Sequence, residues 1–264
     1  MGLPCGTYNI EYREDMAVVR TRLQWGLVIG AIALLFALPS FLPVSWLVVC
    51  NFIGIWIVSA LGLQLLTGYC GQISLGQAAF MAVGAFSCAA YIEYLGWPYW
   101  PALIAGALTS GLIGLIFGIP SLRVKGLYLA VVTIAAYFII LWGIMHIPAL
   151  HGYKGMDIPP LHIGSVSLAS PHNFFYLVMA IVVILTIVTK NIVRTKPGRA
   201  FIAIRDNDLA AEMMGVDIFR YKLLAFFLCS IYAGLAGGLM LGYITHASVE
   251  DYPLMDAIWV LGML

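Results

Sequence analysis

Long apolar runs alternate with short polar intervals along the chain, and the runs are of membrane-crossing length. A helix needs about 20 mostly apolar residues to span the hydrocarbon. The pattern places such runs at 23–38, 45–66, 72–92, 101–120, 126–147, 173–193 and 221–245. Prolines bound several of them: Pro39 and Pro43 stop the first, Pro101 opens the fourth and Pro120 closes it. A polar loop with Pro148, Pro159, Pro160 and Pro171 fills 148–172, and a last apolar run, 252–264, is cut off after one or two turns of helix. The pattern predicts an all-α polytopic transmembrane helix bundle. Its expected organisation is a polar N-terminal segment, 1–22, followed by a membrane domain over 23–264 with seven spans plus a truncated eighth.

Composition agrees. Hydrophobic residues make up 62% of the chain and charged residues 9%, against about 45–50% and about 25% in soluble domains. The charges then sort by side. If the N-terminus is cytoplasmic and all seven runs cross, the inside segments hold Arg13, Arg20 and Arg22, then Arg123 and Lys125, then Lys190, Arg194, Lys196, Arg199, Arg205, Arg220 and Lys222. That is twelve of the thirteen basic residues, with only Lys154 outside. Cytoplasmic loops carry such an excess of Lys and Arg, so the expectation is a multi-pass protein with its N-terminus in the cytoplasm. The mixed charges of the loops give no one-sided basic footprint for nucleic acid.

Four of the five histidines, His146, His151, His162 and His172, fall in or beside the outer loop without metal-ligand spacing and are read as loop polarity. The five cysteines fit no metal motif. No metal site is expected. Ser230, Gly234, Gly238 and Gly242 recur every fourth residue, as do Gly114 and Gly118 and, in the first run, Gly26 and Gly30; small residues on one face let helices approach closely in lipid.

Two stretches carry candidate chemistry. The first is 67–77, Thr-Gly-Tyr-Cys-Gly-Gln-Ile-Ser-Leu-Gly-Gln. Its glycines weaken a helix by roughly 1 kcal/mol each, and irregular backbone at membrane depth survives only where it is buried in protein or lines a watery cavity. Gly71, Gln72, Ser74, Gly76 and Gln77 are therefore candidates for a translocation pathway. A tight turn between two spans, with Ser74, Ala78 and Ala82 as a packing face, explains the same residues. The second stretch is the basic loop. Pro197 suits the first turn of a helix, and Gly215 suits its end. Asp206, Asn207 and Asp208 are N-cap types, which leaves one helix or two short ones. Ile202, Leu209 and Met213 fall on one face at helical spacing. The loop is either a solvated interfacial helix or a docking helix for a soluble partner.

The spans hold almost no ionisable residue: Glu93 lies at an outer end and Asp256 early in the last run. That argues against a proton relay. No lysine follows a glycine, so the chain has no Walker A loop, and H-E-x-x-H and G-x-S-x-G are missing too. The chain is expected to be no enzyme, and ATP, if used, to bind another subunit.

The run Gly68 to Phe80, followed by Gly84-Ala-Phe, resembles the signature of ABC-importer permeases for branched-chain amino acids, the LivM type. Gly126-Leu-Tyr-Leu-Ala-Val-Val-Thr133 and Gly198 to Gly215 resemble two further segments of that family. The resemblance implies a permease subunit of the bacterial inner membrane. It implies a homologous second permease, two cytoplasmic ABC ATPases that bind ATP-Mg, a periplasmic amino-acid-binding protein, and no cofactor on this chain. It also implies a coupling helix within the loop 194–220, on Arg199, Ile202, Arg205, Asp206, Asp208, Leu209, Glu212 and Gly215. Two departures stand out: the outer loop reads Leu150-His-Gly-Tyr-Lys-Gly-Met-Asp-Ile-Pro159 where the family often has a Thr-Gly-Gly run, and the chain stops at Leu264 where such permeases continue, as a fragment would. The residues alone also allow a stand-alone secondary transporter of a small polar or amphipathic solute, or a membrane-assembly protein.

Overall fold

The computed structural model describes residues 22–121, 126–150, 154–159, 162–163, 166–167 and 170–264. The expected inside residues Arg13, Arg20, Arg123 and Lys125, and His151, lie outside these. The chain divides into two units, Met1–Pro43 and Val44–Leu264. The first contains helix α1, Arg22–Ala37.

The second unit is a helix bundle. Its long helices are α2 (Val44–Leu63, prolonged by a π-helical segment Gln64–Tyr69), α3 (Gln77–Leu95), α4 (Tyr99–Ser121), α5 (Leu127–His146), α6 (Pro171–Arg194) and α9 (Ile218–Ile244). All six are long and apolar enough to cross a membrane, and among the described residues no other helix is. Shorter helices α7 (Lys196–Asp206) and α8 (Asp208–Met213) lie between α6 and α9, and α10 (Leu254–Gly262) follows. The third run differs from its expected start: residues 71–76 are not helical, and α3 begins at Gln77.

Helix α9 is the centre of the bundle and packs against α2, α3 and α4. The small-residue stripe explains why α4 can lie so close. A Cβ on Gly234 would meet Ser110 Cβ at 2.6 Å and Ala107 Cα at 3.0 Å, and one on Gly114 would collide with the Ser230 side chain. The Ser110 hydroxyl reaches both Phe80 O (2.8 Å) and Ser230 O (3.0 Å), which ties α3, α4 and α9 together. Gly237, outside the expected stripe, faces the backbone of Met81 in α3.

Contacts across the loops fix which of them share a side. Arg205, in α7, donates from a guanidinium nitrogen to Gly68 O at 2.9 Å, so the α2–α3 and α6–α9 connections lie together. At the opposite end, β1 (Met156–Asp157) pairs antiparallel with β4 (His246–Ala247), and Ile158 N–H donates to Thr245 O at 2.9 Å. His246 Nδ1 lies 2.7 Å from Asp157 Oδ1. A second two-stranded ribbon joins β2 (His162–Ile163) and β3 (Val166–Ser167). His146 stacks on Trp142 and bonds to its carbonyl, 2.9 Å away. Six successive membrane-length helices from α2 onward are consistent with this placement of the α2–α3 and α6–α9 connections at one end and the β1–β4 ribbon at the other.

Candidate functional site

The α2–α3 break is built from backbone bonds that a normal helix end would not make. The π-helical segment ends at Tyr69, and Gln72 N–H reaches back to Leu66 O at 3.1 Å. Thr67 Oγ1 donates to Gln72 O at 2.9 Å. Gly71 takes φ +71°, a left-handed conformation that costs other residues roughly 1–2 kcal/mol. Its missing side chain also makes room: a Cβ there would lie 2.9 Å from Arg205 Cγ. Further on, Leu75 N–H donates to Thr133 Oγ1 at 2.9 Å, which ties the extended segment to α5. Thr133→Val should leave that N–H without a partner and cost about 1–3 kcal/mol, measured as a drop in thermal midpoint in detergent.

The five pathway candidates divide here. Gln77 is sealed in the bundle. Its Nε2 donates to Ser59 O and Ser59 Oγ, both at 3.0 Å, and its Oε1 accepts from Cys229 Sγ at 3.2 Å. Ser74 is buried and accepts from Gly76 N–H at 3.4 Å. Gly76 packs against the Phe80 ring and Thr133 O. Gln77 thus links α3 to α2 and α9, whereas the bond of Ser74 stays within its own segment. Gly71 and Gln72 instead line a polar cavity of about 340 Å³. Gln72 is 5% exposed, and its Oε1 has no hydrogen-bond partner among the described residues.

The far wall of that cavity is the basic loop. The segment folds as two helices. Asn207 breaks it, and its side chain accepts from Ala210 N–H at 3.1 Å as the N-cap of α8. Gly215, at φ +82°, ends α8 with paired bonds, Gly215 N–H to Glu212 O (2.9 Å) and Val216 N–H to Ala211 O (3.0 Å), the Schellman arrangement. Gly198 lets α7 turn tightly against the Val193 backbone at the end of α6. Asn207→Ala should cost about 1 kcal/mol, seen as faster amide exchange confined to α8.

The break puts Ile202 in α7 and Leu209 and Met213 in α8. Helix α7 buries Ala200, Phe201 and Ile204, and α8 buries Ala211. Ile202 is half-buried. Leu209 and Met213 are 66% and 90% exposed, and Met214 beside them 85%. The charged candidates divide as well. Arg205 turns inward to Gly68 O and pairs with Asp206 at 3.4 Å. Asp208 faces Lys222 Nζ at 3.9 Å. Arg199 and Glu212 are exposed. Burial pushes the Cys70 thiol on the cavity wall up to about 12, against the opposing effect of the Lys222 charge. Lys222 and Cys70 are site residues that the sequence did not single out; only the fold brings them to Gln72.

The fold and this site define a polytopic helix bundle of membrane-length helices, with a loop element bonded to a broken helix. The chain matches the model of the family described as branched-chain amino acid transport system / permease component over residues 45–263. It belongs to that family, and the match covers the helix bundle from α2 onward. It is similar to the high-affinity branched-chain amino acid transport system permease protein LivM of Salmonella typhimurium and to that of Escherichia coli, each 30% identical over 235 residues. Those matches cover 80% of this chain and 55% of each relative, so the chain spans about half the length of the curated relatives it matches. No solved structure matches it.

Proposed function

We propose that the chain is the membrane-spanning permease subunit of an ATP-driven importer of branched-chain amino acids. In this reading it sits in the bacterial inner membrane with its N-terminus and the α7–α8 loop in the cytoplasm. A homologous second permease completes the pathway, two cytoplasmic ATPases bind ATP-Mg, and a periplasmic protein delivers the amino acid. The supporting observation is the exposed surface of Leu209, Met213 and Met214 on a helix pair tied through Arg205 to the break at Gly68–Gly71. Exposed apolar side chains in a polar loop mark an interaction site. The tether would let a partner that moves α7–α8 also move the break, the coupling that alternating access driven from outside this chain requires.

Reconstitution in liposomes tests this. The chain with a second permease, the two ATPases and the binding protein should take up leucine, isoleucine or valine only when ATP is inside. Uptake by the chain alone, without ATPase, would favour the stand-alone transporter and overturn the ATP-driven reading. A cysteine placed at Met213 should crosslink to an ATPase subunit; crosslinking to the periplasmic protein instead would invert the orientation.

A further inference from the structure

We infer that the elbow between α6 and α7 binds the anionic headgroup of a membrane phospholipid. Helix α6 carries no charged residue from Phe174 to Thr189, and it is the least buried of the six membrane-length helices. One strip of it is exposed over its last three turns: Ile184, Ile187, Val188, Asn191 and Arg194 recur at helical spacing. The strip is apolar as far as Val188 and polar after it. It therefore runs from the acyl region into the headgroups of the bilayer that the helix crosses.

The chain turns sharply at that level. A Cβ on Gly198 would collide with the Val193 backbone, so the first turn of α7 folds against the last turn of α6. Beside those two residues stand Arg199 and Arg194, both exposed, with Lys196 exposed between them and Lys190 one turn earlier in α6. The chain has no acidic residue between Asp157 and Asp206. The carboxylates that follow are engaged elsewhere: Asp206 with Arg205, Asp208 with Lys222 and Asp217 with Arg220. The start of α7 adds to the positive field. Its N-cap, Thr195, makes no side-chain capping bond, because the hydroxyl donates to Ile192 O, and a helix N-terminus favours an anion. Basic clusters of this size at the end of a membrane helix attract anionic lipid. A phospholipid fits the corner better than a free phosphate, since its acyl chains can lie along Ile184, Ile187 and Val188. A headgroup held there pins the root of α7, and with it the Arg205 bond to Gly68.

The test is lipid retention by the purified chain, read by native mass spectrometry after equilibration in mixed micelles with equal amounts of phosphatidylglycerol and phosphatidylcholine. Phosphatidylglycerol should be retained at least about tenfold over phosphatidylcholine. The double variant Lys190→Gln/Lys196→Gln should lower that preference about fivefold for each lysine removed, the worth of one basic residue near an anionic surface. Lys190→Arg/Lys196→Arg, which keeps the charge, should retain it. Arg220→Gln removes an exposed basic residue at the start of α9 and should leave the preference unchanged. Added phosphatidylglycerol should raise the thermal midpoint of the unaltered chain more than that of the Gln variant, the two being equal in phosphatidylcholine alone. Equal retention of the two lipids, no effect of the Gln variant, or the same loss in Arg220→Gln would overturn the site. So would a lower midpoint of the Gln variant in phosphatidylcholine, which assigns the lysines to folding. Displacement of the lipid by inorganic phosphate would assign the corner to a free anion and overturn the lipid. Retention is measured without partner subunits, so it stands or falls apart from the ATP-driven reading.

Discussion

Gly237→Leu is expected to abolish the folded bundle. A Cβ at this position would collide with the backbone of Met81, its carbonyl carbon and oxygen included. Backbone inside a helix cannot step aside as a rotamer can, so α9 and α3 would have to separate. Overpacking a core costs about 1–3 kcal/mol when side chains can yield, and here the cost should exceed that range. Two neighbours calibrate the effect. Gly84 faces the backbone of Gly234 and should behave like Gly237. Gly238 faces only the end of the Leu103 side chain, which can rotate away, so Gly238→Ala should be tolerated with a modest loss. The measurement is the yield of monodisperse protein in detergent and its thermal midpoint. Equal behaviour of Gly237→Ala and Gly238→Ala would refute the claim that α3 and α9 touch backbone to backbone.

Arg205→Ala is expected to separate ATP hydrolysis from uptake. The guanidinium donates to Gly68 O at 2.9 Å, and the side-chain stem covers Gly71. Removing both frees α7 from the break while leaving Leu209, Met213 and Met214 exposed for a partner. In the reconstituted importer, uptake should fall about tenfold, the effect of losing one charge-assisted bond at the coupling point. ATPase crosslinking through Met213→Cys should persist. Glu212→Ala, on the outward face, should instead weaken partner binding without altering the tether. Arg205→Ala with full uptake, or with lost crosslinking, would show that Arg205 is not the link between the loop and the break. Arg205→Lys separates charge from geometry: a lysine keeps the charge but lacks the planar fork, so partial rescue is expected.

Much of the fold could be read from the sequence because lipid imposes a strong rule. Every span must be a long apolar helix, and the runs from 45 to 245 found their helices within a few residues. The start of α3 was set late by Gly71 and Gly76, whose effect on helix propensity does not say where a helix resumes. The loop residues were harder. Pro197, Asn207 and Gly215 were recognisable as local stop and start signals. Which side chains of α7 and α8 turn inward depends on what each helix packs against, and periodicity does not carry that across the break at Asn207.

The sequence by itself determined the long apolar runs, the excess of basic residues in alternate loops, the small-residue face of α9, and the two stretches where helix gives way. These follow from solvent, charge and local backbone preference, which act on neighbouring residues. Only the tertiary structure decided that those two stretches meet. It put Arg205 on Gly68 and sealed Gln77 between Ser59 and Cys229. It also set Gln72 opposite Lys222 and Asp208. Residues more than a hundred positions apart become neighbours only when α2, α3 and α9 pack at the spacing their glycines allow. That spacing is a property of the assembled helices and of no single segment.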